Sequence, residues 1–210
     1  MYIPNHFNLK DKDLILKIIK ENSFGILISN STQAEIESEP IATHLPFLIN
    51  EEMTYLRGHF ARPNPQWIDL EDKTVLCIFH GPHTYISSSW YEEMPSVPTW
   101  NYLSVHVYGT FKKLDNENEI LQALNDLIQT FESEDSGYSL DQLDAEYLDN
   151  LSKGILPFQI EITRIQAKAK LSQNHSESRR NKVIDRLKLS NSEQDQAIAE
   201  WMRMILNQSS

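Results

Sequence analysis

Six stretches of strand-like residues follow one another between residues 24 and 114, and their spacing constrains the fold more than any other feature of the chain. They lie at residues 24–29, 41–49, 53–60, 74–81, 83–89 and 103–114. Most of them are joined by short connections, whereas parallel pairing needs a crossover of about a dozen residues or more. We therefore expect a mainly β fold, an antiparallel barrel with peripheral helices, rather than a parallel sheet.

Local breaks are predicted within and between these strands. Pro46 indicates an edge, a bulge or a bend in the second strand, and Gly81–Pro82 indicates a turn between the fourth and the fifth. The acidic residues 33–40 are typical of a hairpin loop. Residues 97–102, "VPTWNY", resemble a loop that leads into the sixth strand and carries two large aromatic side chains.

A seventh strand-like stretch follows residue 155, and its apolar pattern changes phase. Apolar side chains occupy even positions up to Ile162 and odd positions from Ile165 onward. One extra residue in a strand shifts the pattern in this way, so we expect a β-bulge or a bend near Thr163–Arg164.

Helical periodicity accounts for the rest of the chain. Helices are predicted at residues 11–21, 65–70, 116–133, 141–150, 177–188 and 193–206. Ser192 and Asp195 have the spacing of a capping box at the start of the last helix. We expect a barrel domain over residues 1–175 and a helical extension over residues 176–210.

Composition and charge narrow the classes of protein. The net charge of −11 disfavours a broad nucleic-acid surface, because phosphate contacts dominate such binding. No signal peptide or membrane span is recognised, and the single Cys77 sits in an apolar run typical of an inert buried thiol, so the cytoplasm is expected. Residues 162–188 nevertheless carry eight basic and two acidic side chains, which is either a pocket for a phosphorylated small molecule or a solvated helix face.

The motifs point to ligand binding more than to a familiar catalytic centre. The chain has no G-x-S-x-G, Walker or H-E-x-x-H pattern, and no metal site is predicted from His80 and His83 because Gly-Pro separates them. In "LRGHFARPNPQW" a strand end is followed by Arg62 and a proline-started helix, which could share an anion; alternatively Arg62 pairs with an acidic neighbour.

Two further sets of residues suit a flat, phosphorylated ligand. In "AKAKLSQN", Lys168 and Lys170 share a strand face, and amide side chains follow that can both donate to and accept from a heterocycle edge. The aromatic residues near the predicted loops could line a flat ring or fill a subunit interface, and both can hold if the site lies between subunits. They are Tyr85, Trp90, Tyr91, Trp100 and Tyr102.

Seven motifs, in this order, resemble those of the PaiB family of FMN-binding split-barrel proteins. They are "MYIPNHF", "THLPF", "GHFARPNPQW", "FHGPHTYISSSWY", "VPTWNY", "VHVYG" and "KLSQN", and they extend from residue 1 to about residue 175. The family is named for transcriptional regulators of sporulation and protease synthesis in bacilli. Ser88 stands where the family usually has proline.

The resemblance implies a six-stranded split barrel, a homodimer and two FMN sites at the dimer interface. It implies that Gly58, His59, Ala61, Arg62 and Asn64 lie near the phosphate end, and that Thr43, His44 and Leu45 lie along the edge of the ring. It implies that Lys170, Gln173 and Asn174 close the site, and that Trp90, Trp100 and Tyr102 face the ring or the partner subunit.

The function implied is that of a flavin-dependent redox or flavin-sensing protein linked to regulation, with an FMN-dependent oxidoreductase activity left open. The alternative is a transcriptional regulator that acts without catalysis through DNA or a protein partner. Direct DNA binding would have to use "SRRNKVIDRLKL", residues 178–189, the one basic helix in the sequence, and the acidic chain disfavours it.

Overall fold

The computed structural model describes residues 1–30, 39–91 and 96–208. Its strands are β1 (Asn8–Leu9), β2 (Phe24–Asn30), β3 (Pro40–Pro46), β4 (Leu48–Ile49), β5 (Tyr55–Ala61), β6 (Thr74–Ile86), β7 (Thr99–Lys113) and β8 (Ile155–Lys170). Its α-helices are α1 (Lys12–Glu21), α2 (Glu117–Phe131), α3 (Ala145–Gly154), α4 (Glu177–Lys188) and α5 (Glu193–Gln208). Short 3₁₀ helices include Pro65–Trp67 and Ser88–Tyr91.

The strands form one eight-stranded sheet in the order β3-β2-β6-β7-β8-β5-β4, with β1 paired to β8. The ladders with a defined register are antiparallel, as in Ile26↔Ile78 and Leu56↔Ile160. The predicted class, mainly antiparallel β with peripheral helices, is therefore confirmed. The predicted number of six strands is corrected to eight, because two-residue strands such as β1 and β4 are too short to give an alternating pattern.

The Gly81–Pro82 turn predicted between two strands is wrong, because β6 runs unbroken through both residues. A Cβ atom on Gly81 would lie 2.9 Å from the Cβ atom of Leu103, so the glycine permits close packing instead of forming a turn. Pro82 lies beyond the residues of β6 that pair with β2, Leu76–Ile78, and its missing N–H therefore removes no bond from that ladder.

Two other local predictions change. The "VPTWNY" loop is shorter than expected because β7 already begins at Thr99, which places Trp100 and Tyr102 on a strand. β8 is a single strand through Thr163 and Arg164, and these adjacent residues are both exposed where the burial pattern changes phase. The predicted hairpin loop at residues 33–40 lies almost wholly outside the described residues.

The chain divides into two compact units. Unit 1 comprises Met1–Glu21, His80–Val105 and Gln166–Ser210, and unit 2 comprises Asn22–Phe79 and His106–Ile165. Strands β6, β7 and β8 each contribute residues to both units.

Unit 2 is organised around an aromatic core. Phe158 packs against Phe111 and Phe60 with ring centroids 5.0 Å and 5.1 Å apart, and Phe47 packs against Phe79 at 5.5 Å. Each such pair stabilises the fold by about 0.5–1.5 kcal/mol beyond its area burial. Cys77 is also buried here, and burial raises the pKa of its thiol, as expected for an unreactive cysteine.

Unit 1 is built from helices that bury one apolar face each. The stripe of α1 contributes Leu14, Ile15, Ile18 and Ile19, and α4 and α5 pack against each other. The first turn of α5 is bonded to β6, because Thr84 Oγ1 donates to Asp195 Oδ1 and the His83 amide donates to Gln194 Oε1 at 3.0 Å. Ser192 Oγ accepts the Asp195 amide at 3.4 Å, which is the capping bond predicted from the sequence.

Candidate functional site

The end of β5 in unit 2 carries most of the predicted phosphate-binding residues. Along this strand Leu56, Gly58 and Phe60 are buried, whereas His59 and Ala61 alternate with them toward the other face. A Cβ atom on Gly58 would lie 2.8 Å from Phe158 Cζ and 3.2 Å from the Pro46 carbonyl oxygen. The glycine therefore allows the strand to approach the aromatic core closely.

Arg62, just beyond β5, is exposed but held by backbone groups. Its Nε donates to the Lys153 carbonyl at 2.9 Å, and its backbone N–H donates to the Gly154 carbonyl at 2.9 Å. Trp67 Nε1 in turn donates to the Arg62 carbonyl at 3.0 Å. Within the described residues the guanidinium pairs with no carboxylate, so its terminal nitrogens can serve an anion.

His59 lies on the same stretch of chain and has an unsatisfied ring nitrogen. Its Nδ1 is buried and finds no hydrogen-bond partner among the described residues. Burial lowers the pKa of this imidazole, so the ring is neutral near pH 7 and Nδ1 or Nε2 can donate one hydrogen bond.

Thr43 and Asn64 meet in a closed polar network centred on Gln66. Asn64 Nδ2 donates to Thr43 Oγ1 at 3.0 Å, and Thr43 Oγ1 donates to Gln66 Oε1. The backbone N–H of Gln66 donates to Asn64 Oδ1 at 2.9 Å. Gln66 is buried, and its Nε2 also donates to Ser29 Oγ at 3.0 Å and to the Ile41 carbonyl at 3.1 Å. Gln66 lies in the motif "GHFARPNPQW" but has no predicted role; its place after a proline at a helix start is the signal that the sequence offers.

The other two predicted residues of unit 2 lie on β3 with opposite exposure. Leu45 is buried, whereas His44 is exposed and its ring is stacked against the exposed Phe24, with centroids 6.2 Å apart. His44 and Phe24 therefore form a small flat surface on the β2–β3 hairpin.

Unit 1 carries an exposed aromatic patch, formed by His83, Tyr85 and Trp100. Trp100 is 53% exposed, and its ring centroid lies 5.9 Å from that of His83 and 6.1 Å from that of Tyr85. An exposed indole supported by two rings can stack on a flat ligand or on another protein surface. Trp90 is half-buried in the Ser88–Tyr91 helix, and Tyr102 is half-buried on β7.

Two lysines and two amides complete the predicted residues of unit 1. Lys170 Nζ donates to Thr99 Oγ1 and to the Trp100 carbonyl, and burial, followed by the charge of Lys168, lowers the pKa of Lys170. Gln173 is bonded to its own turn, since its Oε1 accepts the Leu171 amide at 2.7 Å and its Nε2 donates to the Ala169 carbonyl at 2.6 Å. Asn174 is exposed beside it.

The structure thus joins Thr43 with Asn64 in unit 2 and Lys170 with Trp100 in unit 1. The described residues contain no group of three His, Cys, Asp or Glu side chains that could hold a metal ion. No helix in the described part of the chain is long and apolar enough to cross a membrane.

Comparison with known protein families assigns the chain to one of them. A family model described as "Putative FMN-binding domain" matches residues 1–164. The chain belongs to this family. Membership confirms the predicted cofactor, FMN. Arg62 fits its phosphate, because the terminal guanidinium nitrogens pair with no carboxylate among the described residues.

Relatives and solved structures agree with this family and fold. The chain is 39% identical over 206 residues, 96% of each protein, to "Protease synthase and sporulation protein PAI 2" of Bacillus subtilis, which confirms the PaiB resemblance. It is 27% identical to an uncharacterised Aspergillus fumigatus protein, over 90% of this chain and 92% of the other.

Two flavoprotein structures share the fold at low sequence identity. The flavocytochrome Anf3 of Azotobacter vinelandii superposes with a TM-score of 0.59 at 12% identity, over 80% of this chain and 72% of that one. An FAD- and heme-binding protein of Mycobacterium smegmatis gives 0.54 at 14% identity, over 78% and 73% of the two chains. The split-barrel prediction is thereby confirmed.

Proposed function

We propose that this protein is a flavin-dependent redox or flavin-sensing protein that holds the FMN phosphate at the end of β5 and works as a homodimer. The observation that carries the proposal is the exposed Arg62 guanidinium, which is anchored at Nε and whose terminal nitrogens pair with no carboxylate in the described part of the chain. The resemblance assigns the same stretch, with Gly58, His59, Ala61 and Asn64, to the phosphate.

The anchoring of Arg62 suits a phosphate ligand for a physical reason. A guanidinium held by a backbone carbonyl loses little rotamer freedom when it binds, so more of the charge-assisted hydrogen-bond energy becomes affinity. His59 supplies a second donor, and Asn64 is kept in place by the Gln66 network.

The flavin ring needs flat apolar surfaces, and the proposal takes these from the aromatic patch and from Trp90 and Tyr102. Interfaces between subunits are also enriched in Trp and Tyr, so a second copy that covers the patch would place a ring surface at the subunit boundary. Thr43, His44 and Leu45 are proposed for the ring edge, and Lys170, Gln173 and Asn174 for closure of the site.

The redox chemistry would come from FMN itself, and the protein would bind, orient and tune it. The name of the Bacillus subtilis relative mentions protease synthesis and sporulation. We extend that link to this chain as a regulatory role in which the flavin state controls a partner.

The alternative is a regulator that acts without catalysis. For this alternative, the exposed charges of α4 favour binding to a protein partner over binding to DNA. Of the five cations on α4, Arg180 is buried and Arg179 lies 6.0 Å above the ring of Tyr91. Arg186 and Lys188 are exposed, which is a small cationic surface for a helix that reads a duplex.

Titration with FMN and with riboflavin tests the phosphate assignment. The variant Arg62→Ala loses a bidentate charged contact, so its affinity for FMN should be roughly 10- to 100-fold lower than that of the wild type. Its affinity for riboflavin should be unchanged, because riboflavin has no phosphate. Arg203→Ala, which removes an exposed arginine on α5, is the matched control and should bind both as the wild type does. Equal FMN affinity in Arg62→Ala and the wild type would refute the assignment.

A further inference from the structure

Unit 1 contains a cavity of about 310 Å³, and Gln173 is the one residue on its lining that the flavin proposal also uses. It is lined by β1 and the residues before it, by the end of β8 and by the two C-terminal helices: His6, Phe7, Asn8, Leu9, Ala169, Gln173, Arg180 and Ile205. No carboxylate is among these lining residues. The lining residues therefore include both polar and apolar side chains, and the guanidinium of Arg180 is the permanent positive charge among them.

Arg180 is buried in an unusual way, because two of its three side-chain nitrogens lack hydrogen-bond partners among the described residues. The residue is only 7% exposed, and neither Nε nor Nη2 has a hydrogen-bond partner among the described residues. Burial lowers the pKa of the guanidinium and the nearby Glu177 raises it, but an arginine stays charged in either case. A buried charge without partners is costly, so a fold that retains one gives it a ligand or loses stability.

The positions of the two unpartnered atoms indicate the shape of the missing ligand. Nε and Nη2 lie on one edge of the planar guanidinium, and their N–H groups point in parallel toward the same side. This fork matches two oxygens of one phosphate or carboxylate group. One carbonyl oxygen can also accept from both donors, but an oxyanion offers the fork two oxygens and a compensating negative charge.

The surroundings add positive charge. Lys168 is 7% exposed and donates to the Tyr2 carbonyl at 3.2 Å, and Lys170 lies 5.9 Å from the ring centroid of Phe7, which lines the cavity. Neither lysine pairs with a carboxylate in the described part of the chain. Three basic side chains of the stretch 162–188, those of Lys168, Lys170 and Arg180, are therefore at least partly buried. The stretch is not simply a solvated helix face.

We propose that this cavity is an oxyanion-binding site, in which Arg180 binds a phosphate or carboxylate group with both donors of its Nε–Nη2 edge. Asn8 and His6 stand exposed on the lining and offer further polar groups to the ligand. The site belongs wholly to unit 1, and a competition experiment shows whether its oxyanion is the FMN phosphate assigned above to Arg62 or a separate anion.

Thermal melting of the full chain in phosphate, in acetate and in chloride, at equal ionic strength, tests the proposal. Phosphate or acetate should raise Tm by about 5–10 °C at about 100 times its Kd, because a ligand that binds the folded state alone stabilises it. Identical melting in all three salts would overturn the proposal, and this readout on the wild type does not depend on any variant folding.

Variants at position 180 separate the fork from the charge. Arg180→Met keeps the length of the side chain without charge and should abolish the anion-dependent rise in Tm, while melting in chloride at or above the wild-type temperature. Arg180→Lys keeps the charge without the fork and should bind the anion roughly tenfold more weakly. Arg186→Met, on the exposed face of the same helix, should respond to anion as the wild type does. A full response in Arg180→Met would overturn the assignment.

Competition identifies the source of the oxyanion. If FMN displaces phosphate from the wild type and riboflavin does not, the phosphate end of FMN is the ligand, and Arg180 rather than Arg62 holds it. If FMN and phosphate bind together, the ligand is a separate small anion. Both results support an oxyanion site at Arg180, whereas phosphate binding that survives Arg180→Met contradicts it.

Discussion

The two units differ in how completely a buried polar side chain is hydrogen-bonded. In unit 2, every polar atom of the Gln66 side chain is bonded, to Thr43, Ser29 and the Ile41 carbonyl. In unit 1, Arg180 is buried to a similar degree, but two of its donors find no partner in residues 1–30, 39–91 and 96–208. A closed network specifies the architecture, whereas open donors next to a cavity indicate a ligand, and this difference separates residues that hold a site from residues that use it.

The largest effect that this comparison predicts is the loss of the closed network. Gln66→Leu should lower the free energy of unfolding by about 2–4 kcal/mol, since it leaves Ser29 and Thr43 without a buried partner. Chemical denaturation measures the change. Gln129→Leu, at an exposed position of α2, is the control and should stay within about 0.5 kcal/mol of the wild type. Equal stability of the two variants would mean that the network is dispensable.

A smaller effect of opposite sign is expected in unit 1. Replacing Arg180 by Met removes a buried charge without partners, so in anion-free buffer the free energy of unfolding should rise by about 1 kcal/mol. Denaturation in chloride, with Arg186→Met as the exposed control, measures it. A loss of stability as large as that of Gln66→Leu would show that Arg180 is a structural residue and would erase the contrast between the units.

The smallest effect concerns the unsatisfied imidazole of unit 2. The pKa of His59 is lowered by burial, so the unfolded chain binds a proton more readily than the folded one. Its stabilising contribution is therefore complete above the unfolded pKa of about 6.5 and declines as the pH falls through that value toward the folded pKa.

Melting curves between pH 8 and pH 5 check this sign. His59→Gln should lose less stability than the wild type over that range, and His44→Gln, which removes an exposed imidazole, controls for the loss of a ring. A steeper fall in Tm for His59→Gln than for the wild type would contradict a lowered pKa.

Much of the fold could be predicted because it follows from local periodicity. The apolar stripe of α1 and the alternation in β2 and β5 need only the geometry of a helix or strand. The turn predicted at Gly81–Pro82 is wrong, because glycine is frequent in turns but here allows Leu103 on the next strand to pack closely against Gly81. The start of β7 could not be predicted, because Trp100 and Tyr102 on the outer face of the strand remove the alternation of polar and apolar residues.

Around the candidate site, only the local arrangement of sequence neighbours could be predicted. Arg62, Asn64 and the helix that follows them are local, and the chain places them as the motif suggests. The bonds of Gln66 to Ser29 and Ile41 join residues more than twenty positions apart, and the burial of Arg180 depends on the packing of α4. Composition shows that these residues are polar or charged but not which of them lack a partner.

The most direct test of the central claim is a spectroscopic titration of the purified full-length chain with FMN. The account predicts saturable changes in flavin absorbance and fluorescence with a micromolar or lower Kd, accompanied by a rise in Tm. An unchanged flavin spectrum at high protein concentration, with no FMN-dependent rise in Tm, would contradict it.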